Sequence, residues 1–224
     1  YSLALSPDNQ YAAVGRGNRI FVYDLPTGQL AGELTDPGIS DKGGAAHLDI
    51  VGSLAFNTDG LLASGGFRNI KLWRRPEGVL VKELEPTADA PRSAATSGDG
   101  QRVLTGDESG QVKLYLLADE VVRTFNDHTA AVTGAGFCEG GRLVTVSLDK
   151  TLRIRAGSGE GDARAIALPA PVHSMTIVRG GKVAACGCED GIIRMVDLSP
   201  AVAANVEQAK ADEAAAQFVE LKGH

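Results

Sequence analysis

Apolar and polar residues alternate most clearly between positions 53 and 84, where four short apolar runs are separated by turn signals. The runs are Leu54–Phe56, Leu61–Ser64, Ile70–Trp73 and Val79–Leu84. The first two are joined by Thr58-Asp59-Gly60, in which glycine supplies the positive φ that a tight hairpin turn needs. Four short strands joined by turns predict one antiparallel meander, which is too small to bury its own faces.

This turn recurs along the chain at intervals of 40 residues. It is seen at Asp59-Gly60, Asp99-Gly100, Gly140-Gly141 and Gly180-Gly181. A repeat of about 40–45 residues that carries four strands is typical of one blade of a β-propeller. We therefore predict an all-β chain with five blades, at about residues 1–34, 51–84, 91–125, 132–168 and 172–221.

The chain resembles the WD-repeat (WD40) β-propeller family. The resemblance is carried by Ser6-Pro7-Asp8-Asn9, by residues 59–65 (DGLLASG) and by Ile70-Lys71-Leu72-Trp73. It implies five four-stranded antiparallel blades that form a single propeller segment over residues 1–224. Gly223-His224 matches the pair that opens the next repeat in this family, so we expect an arc of a larger propeller, with further blades or domains of the same chain.

Two segments depart from the regular repeat. Residues 201–217 are rich in strong helix formers and follow Ser199-Pro200, an N-cap and first-turn signal, which predicts a helix inserted in blade five over about 200–216. The link between blades one and two, from Thr35 to Ile50, is longer than the others and rich in glycine and aspartate. Its two interpretations are a mobile surface loop and a loop that contacts a partner.

Composition excludes several function classes. The formal net charge of −6 argues against a nucleic-acid partner, which would need a basic surface. No run of eighteen apolar residues occurs, so we expect no membrane insertion. Three cysteines do not form a disulfide framework, and they leave both a cytoplasmic and a periplasmic location open.

The resemblance also implies a hydrogen-bonded network in each blade, which joins a histidine, a serine or threonine, an aspartate and a tryptophan. The residues at matching positions are His47, Ser64 and Trp73 in blade two, His128, Thr145 and Asp149 in blade four, and Asp190 in blade five. Blade architecture explains their spacing, so we interpret them as structural. No nucleophile elbow, phosphate-binding loop or zinc-protease motif occurs, and we predict no catalytic residue and no cofactor.

One group of soft ligands has two interpretations. Cys186 and Cys188 share one face of a predicted strand, and the hairpin register expected from Gly180-Gly181 places His173 opposite Cys188. Two thiols and an imidazole within reach could hold a soft metal ion. The alternative, which we favour, is ordinary packing of cysteine as a small core residue.

The family resemblance also predicts where partners bind. Propellers of this family bind through the loops before each first strand and between the second and third strands, which we call the loop face. The matching residues are Tyr1, Arg92, Thr133, His173, Arg68, Glu108, Leu148 and Glu189. We therefore predict a non-catalytic scaffold for protein–protein contact. The alternative is an accessory propeller domain of a multidomain bacterial redox enzyme with a c-type cytochrome domain, or of a hydrolytic enzyme.

Overall fold

A computed structural model of the chain describes residues 2–42, 44–57, 60–74, 79–199 and 218–221. The strands of blades one and two are β1 (Ser2–Leu5), β2 (Tyr11–Arg16), β3 (Arg19–Asp24), β4 (Leu30–Leu34), β5 (Ser53–Phe56), β6 (Leu61–Gly66), β7 (Asn69–Arg74) and β8 (Val79–Leu84). Those of blade three are β9 (Pro91–Thr96), β10 (Arg102–Asp107), β11 (Val112–Leu116) and β12 (Val121–Phe125). Those of blades four and five are β13 (Val132–Phe137), β14 (Leu143–Ser147), β15 (Thr151–Arg155), β16 (Arg164–Ala167), β17 (Val172–Val178), β18 (Val183–Cys188), β19 (Ile193–Asp197) and β20 (Phe218–Leu221).

These strands form five separate four-stranded sheets, and each sheet is an antiparallel meander in sequence order. The first strands of consecutive blades lie beside one another, from β1 through β5, β9 and β13 to β17. The prediction of five four-stranded antiparallel blades is therefore confirmed. The predicted helix over about 200–216 lies outside the described residues, as does Tyr1. In the part of the chain that is described, no helix is long and apolar enough to cross a membrane.

The core lies between neighbouring blades rather than within any one of them. Side chains on a strand alternate between the two faces of its sheet, so each blade offers one apolar face to the blade before it and one to the blade after it. Between blades one and two, for example, Ile20 and Val22 pack in one buried cluster with Leu62 and Trp73. This arrangement is what the alternating pattern of the sequence predicts.

A serine–glycine pair recurs where the first two strands of a blade meet. The pairs are Ser2–Gly15, Ser53–Gly65, Ser93–Gly106 and Ser174–Gly187. Glycine is needed because a Cβ at Gly15 would lie 2.3 Å from the Ser2 hydroxyl oxygen. In two of these pairs the serine hydroxyl donates a hydrogen bond to the next blade, at 3.0 Å to the carbonyl oxygens of Val51 and Val132 respectively. Ser2 and Ser93 thus connect consecutive blades.

The two ends of the set of blades are open. On the outward face of blade one, Leu3 is 65% exposed, whereas Leu54, at the equivalent position of blade two, is 8% exposed. On the outward face of blade five, Ser174 and Leu221 are exposed, although their equivalents in blade one are partly or fully buried. In the part of the chain that the structure describes, the five sheets therefore form an arc, and blade five does not pack against blade one.

Candidate functional site

Blade four holds the most complete network of the kind predicted from the sequence. His128 hydrogen-bonds through Nδ1 with Asp149 Oδ2 at 2.8 Å and through Nε2 with Thr145 Oγ1 at 2.9 Å. Asp149 also accepts hydrogen bonds from the Thr151 hydroxyl at 2.6 Å and from the Thr129 amide at 3.1 Å. His128 is buried, so the network ties the loop before β13 to the β14–β15 turn.

The charge state of this network suits a structural role. Burial lowers the pKa of His128 despite the nearby Asp149 carboxylate, so the imidazole favours its neutral form. Burial acts in the opposite direction on Asp149, but hydrogen bonds from Thr151 and His128 outweigh it and hold the pKa of that carboxyl below its usual value. A neutral imidazole between an anion and a hydroxyl resembles a catalytic triad in composition. Here, however, the hydroxyl belongs to Thr145, which is buried on a strand of the sheet.

Blade two has a second network, which contains the tryptophan but no aspartate. Ser64 Oγ lies 2.7 Å from His47 Nε2 and accepts a hydrogen bond from Trp73 Nε1 at 2.7 Å. The two rings meet edge to face, with centroids 6.5 Å apart. Burial, with the nearby Lys71 charge, lowers the pKa of His47 to about 3, so it is neutral at physiological pH. Gly66 makes room for it, since a Cβ there would lie 2.4 Å from His47 Nδ1.

Blade five departs from the predicted arrangement. Asp190 forms a bidentate ion pair with the buried Arg194, with N···O distances of 2.9 and 2.7 Å. The predicted pairing of His173 with Cys188 is wrong. A bulge between Val172 and Ser174 places Val172 opposite Cys188 and leaves His173 exposed.

This register separates the three residues of the metal hypothesis. Both cysteines are buried, and burial raises the pKa of Cys186 to about 12, which keeps its thiol protonated. Within the described ranges, no three His, Cys, Asp or Glu side chains are placed together to hold a metal ion.

The residues assigned to the loop face have different environments. Arg92 and Glu108 form an exposed ion pair with a separation of 3.4 Å between Arg92 Nε and Glu108 Oε1. Arg68, His173 and Glu189 are exposed, and Leu148 is half-buried. Thr133 is used inside the fold, because its hydroxyl donates a hydrogen bond to the Val172 carbonyl at 2.6 Å.

In the long loop between β4 and β5 (residues 35–52), the backbone at Asp36 approaches the backbone at Ala45, and we call this point the neck of the loop. The Asp36 amide donates to the Ala45 carbonyl at 3.0 Å, which closes the neck. Lys71, which is buried on β7, pairs with the Asp36 carboxylate and donates to the Ala46 carbonyl at 2.9 Å. A single side chain of blade two therefore fixes both sides of this loop.

A cleft of about 560 Å³, which we call the loop cleft, lies between the long loop and the turn that joins β6 to β7. Its lining includes Ile39, His47, Leu48, Phe67, Arg68 and Lys71. The sequence pointed to the long loop and to Arg68, but not to Leu48, Phe67 or Lys71. The available signals were an exposed phenylalanine in a predicted turn and a lysine inside an apolar strand.

Comparisons with known proteins agree with this geometry. The family model described as "WD domain, G-beta repeat" matches residues 119–155. A WD repeat-containing protein of Synechocystis sp. is 30% identical over 107 residues, which are 46% of this chain and 28% of that protein. A chain in the crystal structure of a mitotic checkpoint complex superposes with a TM-score of 0.75 at 20% identity. That match covers 88% of this chain and 60% of the solved one.

Proposed function

We propose that this chain, a β-propeller of the WD-repeat family, acts as a non-catalytic scaffold that binds protein partners through its loop face. The observation that carries the proposal is a division between buried and exposed polar groups. The histidines of the blade networks, His47 and His128, are buried and bonded within their own blades. The loop face instead exposes charged side chains such as Arg92 and Glu108.

The kind of partner follows from the character of this face. Arginine and aromatic side chains are enriched at the energetic centres of protein interfaces. Among the described loop-face residues, Arg68, Phe67 and Arg92 are exposed. The superposed chain is part of a mitotic checkpoint complex, which supports the use of this fold in protein assemblies.

The proposal extends to the open ends of the arc, which we infer are covered by further blades of the same polypeptide. Ser174 is exposed, and no described residue accepts a hydrogen bond from it, whereas Ser2 and Ser93 donate to the next blade from equivalent positions. The chain spans 28% of the length of the curated relative and 60% of the solved chain, so both have room for additional repeats.

A capture experiment tests the scaffold function. The chain and a variant with Arg92→Glu and Glu108→Arg are compared as bait in extracts of the source organism, with quantitative mass spectrometry of the captured proteins. A control variant, Gln101→Ala with Lys182→Ala, alters residues beside the turns between first and second strands. We expect the control to keep the partners and the loop-face variant to lose them. Equal capture by both variants would contradict the proposal.

A further inference from the structure

Large apolar side chains that are exposed fall mainly in three places within the described residues. Leu3, Leu5, Leu25 and Leu30 belong to blade one, and Val219 and Leu221 belong to blade five. A third group lies at the loop cleft or beside it, with Leu48 at 66%, Ile50 at 62% and Phe67 at 52% exposure. Val121, on the outer strand of blade three, stands apart.

The third group needs an explanation of its own. The exposed residues at the two ends of the arc belong to end blades, where a further blade would cover the outward faces. Leu48 and Ile50 lie in the long loop, and Phe67 lies in the turn between β6 and β7. Packing of another blade against either end of the arc therefore leaves them exposed. A cluster of this kind on a protein surface typically marks an interaction site.

The floor of the loop cleft can receive an apolar group. Lys71 and Asp36 form a buried ion pair there, and His47 is neutral, so the described floor carries no unbalanced charge. Ile39 and Leu80 contribute apolar lining. The volume of about 560 Å³ falls within the range of about 300–1,000 Å³ that is usual for binding clefts.

The rim of the cleft indicates the charge of the occupant. Among the rim residues that the structure describes, two carboxylates, Asp49 and Glu83, stand against one guanidinium, that of Arg68. Each carboxylate accepts one local hydrogen bond, from the Ile50 amide and from Asn69 respectively, and neither of these uncharged donors offsets its negative charge. The described part of the rim is thus negative overall, like the whole chain, and electrostatic complementarity favours a basic partner.

The extent of the apolar surface indicates the size of the occupant. Ile50 is exposed beside the cleft without being part of its lining, so the apolar surface continues outward past the rim. A small molecule held within the cleft would leave this outer surface uncovered. A polypeptide segment can fill the cleft with one side chain and lie across Ile50 with its neighbours.

We propose that the loop cleft binds a polypeptide segment that inserts one large aliphatic or aromatic side chain and carries a lysine or arginine close to it. This inference rests on the proposed scaffold function, since the cleft belongs to the loop face, and it names the site and the chemistry of the partner. Phe67 and Leu48 supply the contact with the inserted side chain. Asp49 and Glu83 attract the basic residue.

The test is a selection from a random dodecapeptide library displayed on phage, with the complete chain as immobilised target. Enriched peptides are synthesised, and their affinities are measured by fluorescence polarisation. We expect a shared large apolar residue with a basic residue within a few positions. Phe67→Ala should weaken binding at least about tenfold, as expected for an interface hot spot. Asp49→Asn should weaken it mainly at low salt, because the contribution is electrostatic.

Two control variants and a stability measurement keep the result interpretable. Val121→Ala removes an exposed apolar side chain on blade three, and Lys182→Ala removes an exposed cation on blade five. Both should bind the selected peptides as the unaltered chain does. Melting temperatures of all variants show whether a loss of binding reflects unfolding, and Phe67→Leu should restore part of the affinity that Phe67→Ala loses.

The outcomes separate this inference from the scaffold function. Some peptides could bind equally well to the unaltered chain and to Phe67→Ala but lose affinity with Arg92→Glu. This result would contradict the loop cleft as the binding site, and would still agree with the scaffold function. Enriched peptides without a basic residue, or with acidic ones, would overturn the chemistry assigned to the partner. A selection that enriches no peptide would count against both proposals.

Discussion

The histidine at the centre of the blade-four network shows how a polar side chain can be buried and keep its hydrogen bonds. His128 uses both ring nitrogens, on Asp149 and Thr145, and Asp149 in turn fixes the backbone of its own turn through Thr151. A buried polar group without a partner costs more free energy than its hydrogen bond contributes when it is made. Removal of one member of such a network should therefore reduce stability more than removal of an exposed charge.

Replacement of Asp149 by alanine tests this expectation. Asp149→Ala removes the carboxylate that His128 Nδ1 and the Thr151 hydroxyl share and leaves them only their mutual contact at 3.2 Å, so it should lower the free energy of unfolding by about 1–3 kcal/mol. Asp162→Ala, at an exposed position of the same blade, should change it by less than about 0.5 kcal/mol. Urea unfolding followed by circular dichroism gives both values. Equal values for the two variants would mean that the network does not support the fold.

The neutral histidines also predict how stability depends on pH. The pKa of His47 is about 3 in the folded chain and is lowered from its usual value of 6.5, and that of His128 is lowered as well. At pH values between 6.5 and about 3, His47 binds more protons in the unfolded state than in the folded state. The free energy of unfolding therefore falls as the pH is lowered through this range. The loss should approach about 1.4 kcal/mol per pH unit for each fully neutral histidine.

Unfolding free energies measured between about pH 7 and pH 5 check this slope, in a range that avoids most carboxyl titration. His47→Gln removes one titrating group and should flatten the curve, although it also removes packing against Trp73. A stability that is constant over this range in the unaltered chain would contradict the assignment of buried, neutral histidines.

At the scale of elements, the long loop is the clearest departure from a repeat of identical blades. Its neck is joined to blade two by the buried pair of Lys71 and Asp36, whose side chains are 4% and 11% exposed. A related contact is made in blade three, where Lys113 pairs with Glu85 at 2.7 Å and donates to the Pro86 carbonyl. Third-strand lysines thus hold the segments that precede blades two and three.

The neck pair gives a prediction with a matched control. Lys71→Met leaves the Asp36 carboxylate without its cation and should lower the free energy of unfolding by about 3–5 kcal/mol, as for other buried pairs that lose one partner. Lys82→Met breaks an exposed pair with Glu120 and should cost less than about 1 kcal/mol. Adding Asp36→Asn to Lys71→Met should recover part of the loss. No recovery in the double variant would show that the two groups do not act as a pair.

The sequence predicts local structure well because each blade repeats the same turns and the same alternation. Strands β5–β7, for example, fall where the apolar runs around Leu54, Leu61 and Trp73 place them. Features that depend on distant residues are not predicted in this way. Lys71 and Asp36 are 35 positions apart, and the bulge at His173 shifts a register that the Gly180-Gly181 turn alone would set.

The features of the candidate site also fall into two groups: those that the repeat predicts and those that depend on contacts between distant residues. Arg68 and the long loop are identified by their position in the repeat, because loops of one face recur at fixed spacing. The loop cleft depends on where the long loop lies. Its position is fixed by hydrogen bonds to the Asn18 and Gly17 carbonyls of blade one and by the contacts with Lys71 of blade two. Such contacts leave no periodic signal in the sequence, so only the structure shows that Leu48 and Phe67 line the same cleft.

At the scale of the whole molecule, the open ends of the arc make an accessible test possible. The three native cysteines are buried, so a cysteine placed at Ser174 can be labelled selectively by a thiol reagent. We expect rapid labelling of Ser174→Cys in this chain, and protection in an extended chain that carries a further blade after blade five. Glu108→Cys, on the loop face, should react rapidly in both.

Two results would contradict the inference that a further blade covers this face. One is rapid labelling of Ser174→Cys in the extended chain. The other is protection that appears in the unextended chain and grows with protein concentration, because a second copy of the chain would then cover the face. Light scattering on the same samples gives the oligomeric state.

The central claim is that buried polar networks maintain the fold while the loop face carries the function. The most direct measurement determines both the melting temperature and the affinity for one captured partner, in Asp149→Ala and in the Arg92→Glu, Glu108→Arg variant. For Asp149→Ala we predict a lower melting temperature, with an unchanged affinity at temperatures below the unfolding transition. For the second we predict an unchanged melting temperature with lost affinity. Lost affinity in a folded Asp149→Ala, with full affinity in the loop-face variant, would contradict the claim.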